Sequence, residues 1–474
     1  MAGKSSTTTR PVIERRARRR ATVARAFART LASALALVVA GCTQQAPTGT
    51  ALVGATLLDG TGAAPRPDVV VVVRDGRVEA ITPRARFKLP RRTREVDVSG
   101  KWILPGLIDA HAHVAPWALK RYLGYGVTTV RDMGGNLDAM LALRERVSRG
   151  GVDGPRIYAA GAMIDGRPST YTDALPASTE GEARKAVDRL SVTGVDFIKV
   201  YTRVDEPILK GILDEAGTFR LHVAGHLGLV DAVTASRLGL YSIEHMSGIP
   251  EAAATDPSEL MNAHYHGFWP GWTAFEQGWA GLDSAALAKV AGELAAKKTF
   301  IVPTLVLHET FSRLDDSVAS QSPELRAVPA EVQTAWDVPG MIRRAEWGAA
   351  SFAAFRRSRA KQNLFVREFQ RAGGRLATGT DAANQLLIPG FSEHQELELL
   401  VQAGLTPAEA LAAATRNGAQ LLGADSLGQV APGKVADLVV VAGNPLADIR
   451  NTRKVEQVMV RGKLLSADSI RASW

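Results

Sequence analysis

The chain has 474 residues, 46% hydrophobic and 22% charged, with 44 Gly, 23 Pro and a single Cys. That length supports a large core and two or three domains, and the composition excludes a disordered, collagen-like or disulfide-stapled protein. The formal charge of +9 would suggest a nucleic-acid or anionic-lipid partner, yet residues 1–42 carry nine Lys and Arg against Glu14, a net +8 that leaves only +1 for residues 43–474.

The basic run from Lys4 to Arg29 leads into the apolar stretch Leu31–Gly41, too short to span a bilayer as a helix. A charged region, a short apolar core and small residues before a cut are the layout of a secretory signal. Val39-Ala40-Gly41-Cys42 resembles a bacterial lipobox, in which the Cys is lipidated and becomes the new N-terminus. Residues 1–42 therefore read as a signal peptide with a lipobox, Cys42 as its lipidation site, and 43–50 as a polar tether. The body is expected in the bacterial cell envelope, touching the membrane through the lipid anchor alone. An ordinary signal peptide that contains a Cys is the alternative, and the length of the basic run leaves the translation start open.

From Ala51 the pattern is β-rich. Short apolar runs at 52–58, 69–73 and 77–81 are punctuated by Asp59-Gly60 and Asp75-Gly76 turns. The same texture returns at 435–441 and 455–460, so residues 51–104 and 428–474 are expected to build one small β-sandwich domain from both ends. Between them, residues 105–427 alternate strands and helices. The strands are expected at Leu107–Ala110, Thr128–Asp132, Arg156–Ala160, Phe197–Tyr201, Arg220–Gly225, Ser242–Glu244, Phe300–Leu305 and Leu376–Thr380. Helices are expected at Leu137–Ser148, Glu180–Val192, Leu229–Leu238 and Ala285–Lys298. Eight such units read as an α/β fold of the (β/α)8 TIM-barrel type, with active groups at strand C-terminal ends. Two connections, 246–299 and 306–360, are too long for minimal loops, and the first holds Trp269, Trp272 and Trp279.

Chemistry-bearing residues fall at those strand ends. His111 and His113 are two apart, so on a strand both imidazoles face one metal. Lys199 sits in Phe197-Ile-Lys-Val-Tyr201, where apolar neighbours depress an amine pKa. Uptake of CO2 would turn it into a carbamate able to bridge two metals; a packed stem with a head reaching water is the plainer reading. Tyr201 has the same parity as Lys199. His226 and His245 end consecutive strands, with His222 read as the deeper, packed histidine. Asp381 can bind a metal and accept a proton from water, or simply cap a helix. Arg167 reads as a solvated loop residue. His264, His266 and His308 read as ordinary, and Trp269 and Trp272 fit either a lid or the packing of a long insertion.

Taken together, Pro105-Gly-Leu-Ile-Asp-Ala-His-Ala-His113, the Lys199 motif, Ser242-Ile-Glu-His245 and Ala377-Thr-Gly-Thr-Asp381 resemble the amidohydrolase superfamily, in its imidazolonepropionase-like and Xaa-Pro dipeptidase-like branch. Gly126–Gly135 and Pro432–Leu438 are similar to further passages of that branch. The resemblance implies that His111, His113 and Asp381 hold one divalent metal and that His226 and His245 hold a second. Carboxylated Lys199 and a hydroxide would bridge the pair, with Asp381 moving the proton. Many relatives carry His-x-His on the fifth strand, whereas here the sequence is His226-Leu227-Gly228.

Imidazole and carboxylate ligands favour zinc. Tyr201 and His394 are the candidate substrate-binding residues. The expected activity is hydrolysis of amide bonds in a small molecule, a dipeptide or N-acyl amino acid. Alternatives are a cyclic-amide or lactone hydrolase, a mononuclear deaminase-like site without need of Lys199, and a non-catalytic binding lipoprotein. The resemblance leaves assembly into a homo-oligomer open.

Overall fold

Residues 48–474 are described by a computed structural model; the leader, Cys42 and residues 43–47 lie outside the described residues. The first strands are β1 (Gly49–Leu57), β2 (Arg66–Arg74), β3 (Arg77–Pro83), β4 (Thr93–Asp97) and β5 (Trp102–Pro105). Five consecutive valines make β2 apolar on both faces. Val69, Val71 and Val73 join one buried cluster, while Val70 and Val72 meet Ala51 and Val53 in another. The β2–β3 hairpin turns on Asp75 (φ 49°) and Gly76 (φ 76°), two left-handed residues that match the twist of the flanking strands. The sheet begins two residues earlier than expected, because Gly49 already pairs with Arg74 and Thr93; the tether is that much shorter.

The alternating region supplies β6 (Leu107–Ala112), β7 (Val127–Asp132) and β8 (Arg156–Ala159), then the short β9 (Ile164–Asp165) and β10 (Leu175–Pro176). There follow β11 (Ile198–Val200), β12 (Val223–Gly225), β13 (Ser242–Glu244), β14 (Phe300–Val302) and β15 (Arg375–Leu376). All pair in parallel, β6-β7-β8 in one sheet and β10-β9-β11-β12-β13-β14-β15 in another. Backbone bonds join the two. Asp196 N donates to Ala159 O (2.9 Å) between β8 and β11, and Ala110 N donates to Thr378 O (2.9 Å) between β6 and the chain beyond β15.

Helix boundaries follow local capping. Leu137–Ser148 forms as expected, and Glu180–Thr193 starts at a Thr179 cap and stops at left-handed Gly194. The helix expected from Leu229 begins at Ala232, because the Asp231 carboxylate accepts from the Val233 and Thr234 amides. The seventh strand ends at Val302 rather than Leu305. Left-handed Thr304 (φ 46°) turns the chain into a helix over Leu305–Phe311, whose Val306 amide donates to buried Glu396 from a distant helix (2.7 Å). Both long connections are helical; the first includes Phe268–Gly278 and the second the 23-residue Ala349–Arg371.

The C-terminal β16 (Leu438–Val441), β17 (Val455–Val460) and β18 (Lys463–Ser466) return to the first strands. β16 pairs antiparallel with β5, giving one eight-stranded sheet, β18-β17-β16-β5-β1-β2-β3 with β4 beside β1. Leu438, Val440 and Met459 pack with Leu52, Leu57 and Val71, so both chain ends share a core.

Candidate metal centre

Parallel pairing brings distant segments to one end of the strands. His111 lies in β6, and the chain beyond β15 runs against it: Thr380 N and Asp381 N both donate to His111 O (3.0 and 2.7 Å). That approach needs Gly379, where a Cβ would sit 2.6 Å from the His111 Cβ. Asp381 (φ 61°) and His245 (φ 57°) are both left-handed non-glycine residues, a conformation retained only where surrounding structure enforces it. Beneath them, fully buried Asp109 accepts from His111 N (3.2 Å), Thr380 N (3.1 Å) and Thr380 Oγ1 (2.6 Å), fastening β6 to the last strand. Burial pushes the Asp109 carboxyl up to about 7.

Nε2 of His111 and of His113 lie 3.2 and 3.1 Å from Asp381 Oδ1, and one ligand atom from each residue falls within 4.8 Å of the others. The rings of His111 and His245 are 4.2 Å apart, and those of His226 and His245 4.8 Å. The far nitrogens are engaged elsewhere. Nδ1 of His111 donates to Glu244 Oε2 (2.7 Å) and Nδ1 of His113 to Gly134 O (3.0 Å), while Thr304 Oγ1 meets Nδ1 of His245 (2.8 Å). The carboxylate and carbonyl acceptors fix the Nδ1–H tautomer of His111 and His113 and leave Nε2 to face a metal; in His245 the contact occupies Nδ1 and leaves Nε2 free.

Electrostatics fit that use. Burial drives His226 well below its ordinary value, helped by Lys199, and does the same to His245, helped by His111; both rings are neutral at pH 7. Burial also disfavours the Asp381 carboxylate, but His245, His111 and His113 outweigh it and hold the group well below the usual range. Burial lowers the Lys199 amine to about 8, and its Nζ has no hydrogen-bond partner among the described residues.

Sequence reasoning missed the ion pair that supports this group. Glu244 is completely buried and is clamped by Arg131 Nη2 (2.8 and 2.9 Å) as well as by His111. Arg131 also donates to Ala110 O (2.5 Å) and Ser242 Oγ (3.2 Å). Burial opposes the charged form of Glu244, yet Arg131 and His111 win and keep its carboxyl well below the usual range. Alternation along β13 was the available signal, since Ser242 and Glu244 share a face.

A cavity of about 590 Å³ opens over the cluster and is lined by His111, His113, Lys199, His226, His245 and Asp381. Tyr201, Trp269 and Trp272 line it too, as does Phe268, which the sequence did not single out. The choice between His222 and His226 falls to His226. His222 is not the deeper, packed residue: it is exposed at the other end of its strand, stacked on Tyr241 with centroids 3.6 Å apart. The missing second His of the fifth strand has a steric reason, because a Cβ at Gly228 would lie 2.5 Å from Thr202 O and 3.0 Å from His264 Nδ1.

His394 does not line the cavity. It is fully buried, with Nε2 against Tyr125 O (2.9 Å) and Nδ1 against Thr452 Oγ1 (3.0 Å), and burial lowers it to about 4. Its role is to tie the helix over Phe391–Gln402 to the C-terminal segment, a contact between residues far apart in sequence. His264 and His308 are likewise buried partners of carboxylates, Glu251 (3.1 Å) and Glu276 (2.5 Å), rather than ordinary loop residues. Arg167 is largely exposed, as expected.

What the parallel strands hold at their C-terminal ends is the equipment of a metal-dependent hydrolase. Residues 102–465 match the amidohydrolase family, and the chain belongs to that family. It is an enzyme of the metal-dependent hydrolases that act on C–N bonds. Imidazolonepropionase from Pseudomonas putida (strain GB-1) is 28% identical over 389 residues, covering 78% of this chain and 87% of that protein. Among solved structures, bottromycin amidohydrolase superposes with a TM-score of 0.69 at 26% identity, over 91% of this chain and 90% of its own. A Xaa-Pro dipeptidase with methionine bound in its active site gives 0.65 at 20% identity, over 88% and 100%.

Proposed function

We propose that this protein is a binuclear amidohydrolase cleaving the amide bond of dipeptides or N-acyl amino acids. The observation that carries the reading is Lys199: a buried amine with no partner, lowered by burial to about 8, in a cavity wall shared with four imidazoles and the Asp381 carboxylate. Its Nζ, after losing a proton, adds to CO2 and releases a second proton, leaving a carbamate. His111, His113 and Asp381 would hold one divalent ion, zinc by ligand type, and His226 and His245 the other, with the carbamate between them. Bound metal would acidify water and polarise the scissile carbonyl.

The chain's own residues do the rest. Asp381 takes the proton of the attacking water and returns it to the leaving nitrogen as the C–N bond breaks. Its Oδ2 accepts from Asn384 Nδ2 (2.7 Å), which holds the carboxylate in place. Tyr201, buried beside His226 (centroids 4.8 Å), offers its hydroxyl to the substrate carbonyl. Phe268, Trp269 and Trp272 keep water from the reacting face.

The same reading places these groups on a closed (β/α)8 barrel spanning 105–427, joined to a β-sandwich of residues 51–104 and 428–474. Export to the cell envelope on a Cys42 lipid belongs to it as well; Cys42→Ser should move the protein from the membrane to the soluble fraction, and unchanged fractionation would remove the anchor.

Metal analysis of the purified mature protein, with a panel of dipeptides and N-acyl amino acids and with chelator, tests the function. About two metals per chain and chelator-sensitive cleavage support it. One metal, with activity surviving Lys199→Ala, would replace it with a mononuclear site. The imidazolonepropionase relatives favour one second reading, a cyclic-amide hydrolase, so a cyclic amide belongs in the panel.

A further inference from the structure

Lys199, Tyr201 and Arg203 follow one another at alternate positions, and all three line the cavity. Arg203 differs from the other arginine beneath the site. Arg131 is consumed by Glu244, whereas no carboxylate among the described residues lies within 4.0 Å of the Arg203 guanidinium. Asp173, an acid on the same cavity wall, makes no ion pair with it. Only Nη1 of Arg203 is engaged, by Pro168 O, and Nε is buried without a partner. The edge without a protein partner is the one formed by the covered Nε and by Nη2, whose parallel N–H bonds match the two oxygens of a carboxylate.

The backbone that carries this edge is tied down. Arg203 N donates to Asp165 Oδ1 (3.0 Å), and the same buried carboxyl accepts from Gly166 N (2.9 Å) and Thr170 N (2.8 Å). The loop that supplies Pro168 is thereby fastened to the residue it orients. A Cβ at Gly166 would sit 2.2 Å from Arg203 O, so the loop and the arginine backbone are in closest approach. A half-buried guanidinium without a carboxylate partner, on a backbone tied down in this way, has little ordering left to do when an anion arrives.

We propose that Arg203 is the carboxylate subsite of this cavity, which makes the enzyme selective for substrates with a free carboxylate on the leaving amino acid. The proposal rests on the amide-hydrolase reading for its substrate, but it is tested by binding as well as by turnover. L-Phenylalanine and L-phenylalaninamide, a product and its uncharged counterpart, are titrated calorimetrically into the metal-loaded wild type, Arg203→Gln and Arg203→Lys. Hydrolysis of N-acetyl-L-phenylalanine and its carboxamide is followed in parallel by acetate release.

Wild type is expected to bind the acid on the order of 30-fold more tightly than the amide. Arg203→Gln should lose that preference by weakening the acid alone, raising its KM with little change in kcat, and Arg203→Lys should restore part of it. A preference that is absent in wild type or survives in Arg203→Gln overturns the proposal, as does equal weakening of both ligands. An Arg203-dependent preference without any acetate release keeps the subsite and removes the hydrolase reading. Hydrolysis indifferent to Arg203 does the reverse.

Discussion

Glu244 offers the most direct test of how the site is held. Glu244→Gln preserves shape and removes one charge. In the native group the two carboxylate oxygens accept from Arg131 Nη2, from His111 Nδ1 and from Ser242 Oγ (2.6 Å). A Gln side chain has a single acceptor oxygen, so it can serve some of these donors while its NH2 faces the rest. Arg131, whose side chain is 3% exposed, then keeps an unneutralised charge with only neutral acceptors, the Gln oxygen, Ala110 O and Ser242 Oγ. Breaking a buried pair from one side costs about 3–5 kcal/mol, and the retained Gln contact argues for about 3. The loosened His111 ring should also weaken metal binding by roughly 10- to 100-fold.

Urea unfolding at pH 7 measures the first quantity and competition with a chelating dye the second. The double variant Arg131→Met with Glu244→Gln should recover part of the stability, because no charge is then left unpaired. An unfolding free energy within about 1 kcal/mol of wild type, together with unchanged metal affinity, would refute the reasoning.

Two further outcomes are expected from residues that local pattern misjudged. His394 is neutral in the folded chain, with its value lowered to about 4 against an unfolded value near 6.5. The unfolded state therefore binds more protons in that window. Stability is full above about pH 6.5 and falls by up to about 3 kcal/mol as pH drops toward 4, a slope His394→Gln should flatten. A variant with the same pH slope as wild type would show that other groups carry the acid sensitivity, and a raised KM would return His394 to the substrate. Gly228→Ala should lose about 2 kcal/mol or more in chemical denaturation, since its Cβ meets backbone Thr202 O at 2.5 Å. A neutral result would mean that the strand-end loop yields more easily than its packing implies.

Short-range pattern decided much of this protein. The valines of β2 and the Asp75-Gly76 turn announce a hairpin, because alternation and left-handed φ are properties of adjacent residues. His111 and His113, Lys199, His226, His245 and Asp381 were legible for a related reason: each lies in a short apolar strand or in the chain just beyond one. Parallel pairing then carries all strand ends to one side.

Tertiary structure alone decided what those residues lean on. Glu244 could be known as a partner of Arg131 and His111 only once the fold brought together side chains 113 and 133 residues apart in sequence, from strands that do not pair with its own. The exclusion of a second histidine at Gly228, the burial of His394 between Tyr125 and Thr452, and the unpaired edge of Arg203 are likewise products of packing. Hydrogen bonds and steric contacts between remote segments leave no periodic trace in the chain. The clustered histidines, lysine and aspartate were therefore visible in the sequence, while their supports, and the unpaired Arg203 beside them, waited for the fold.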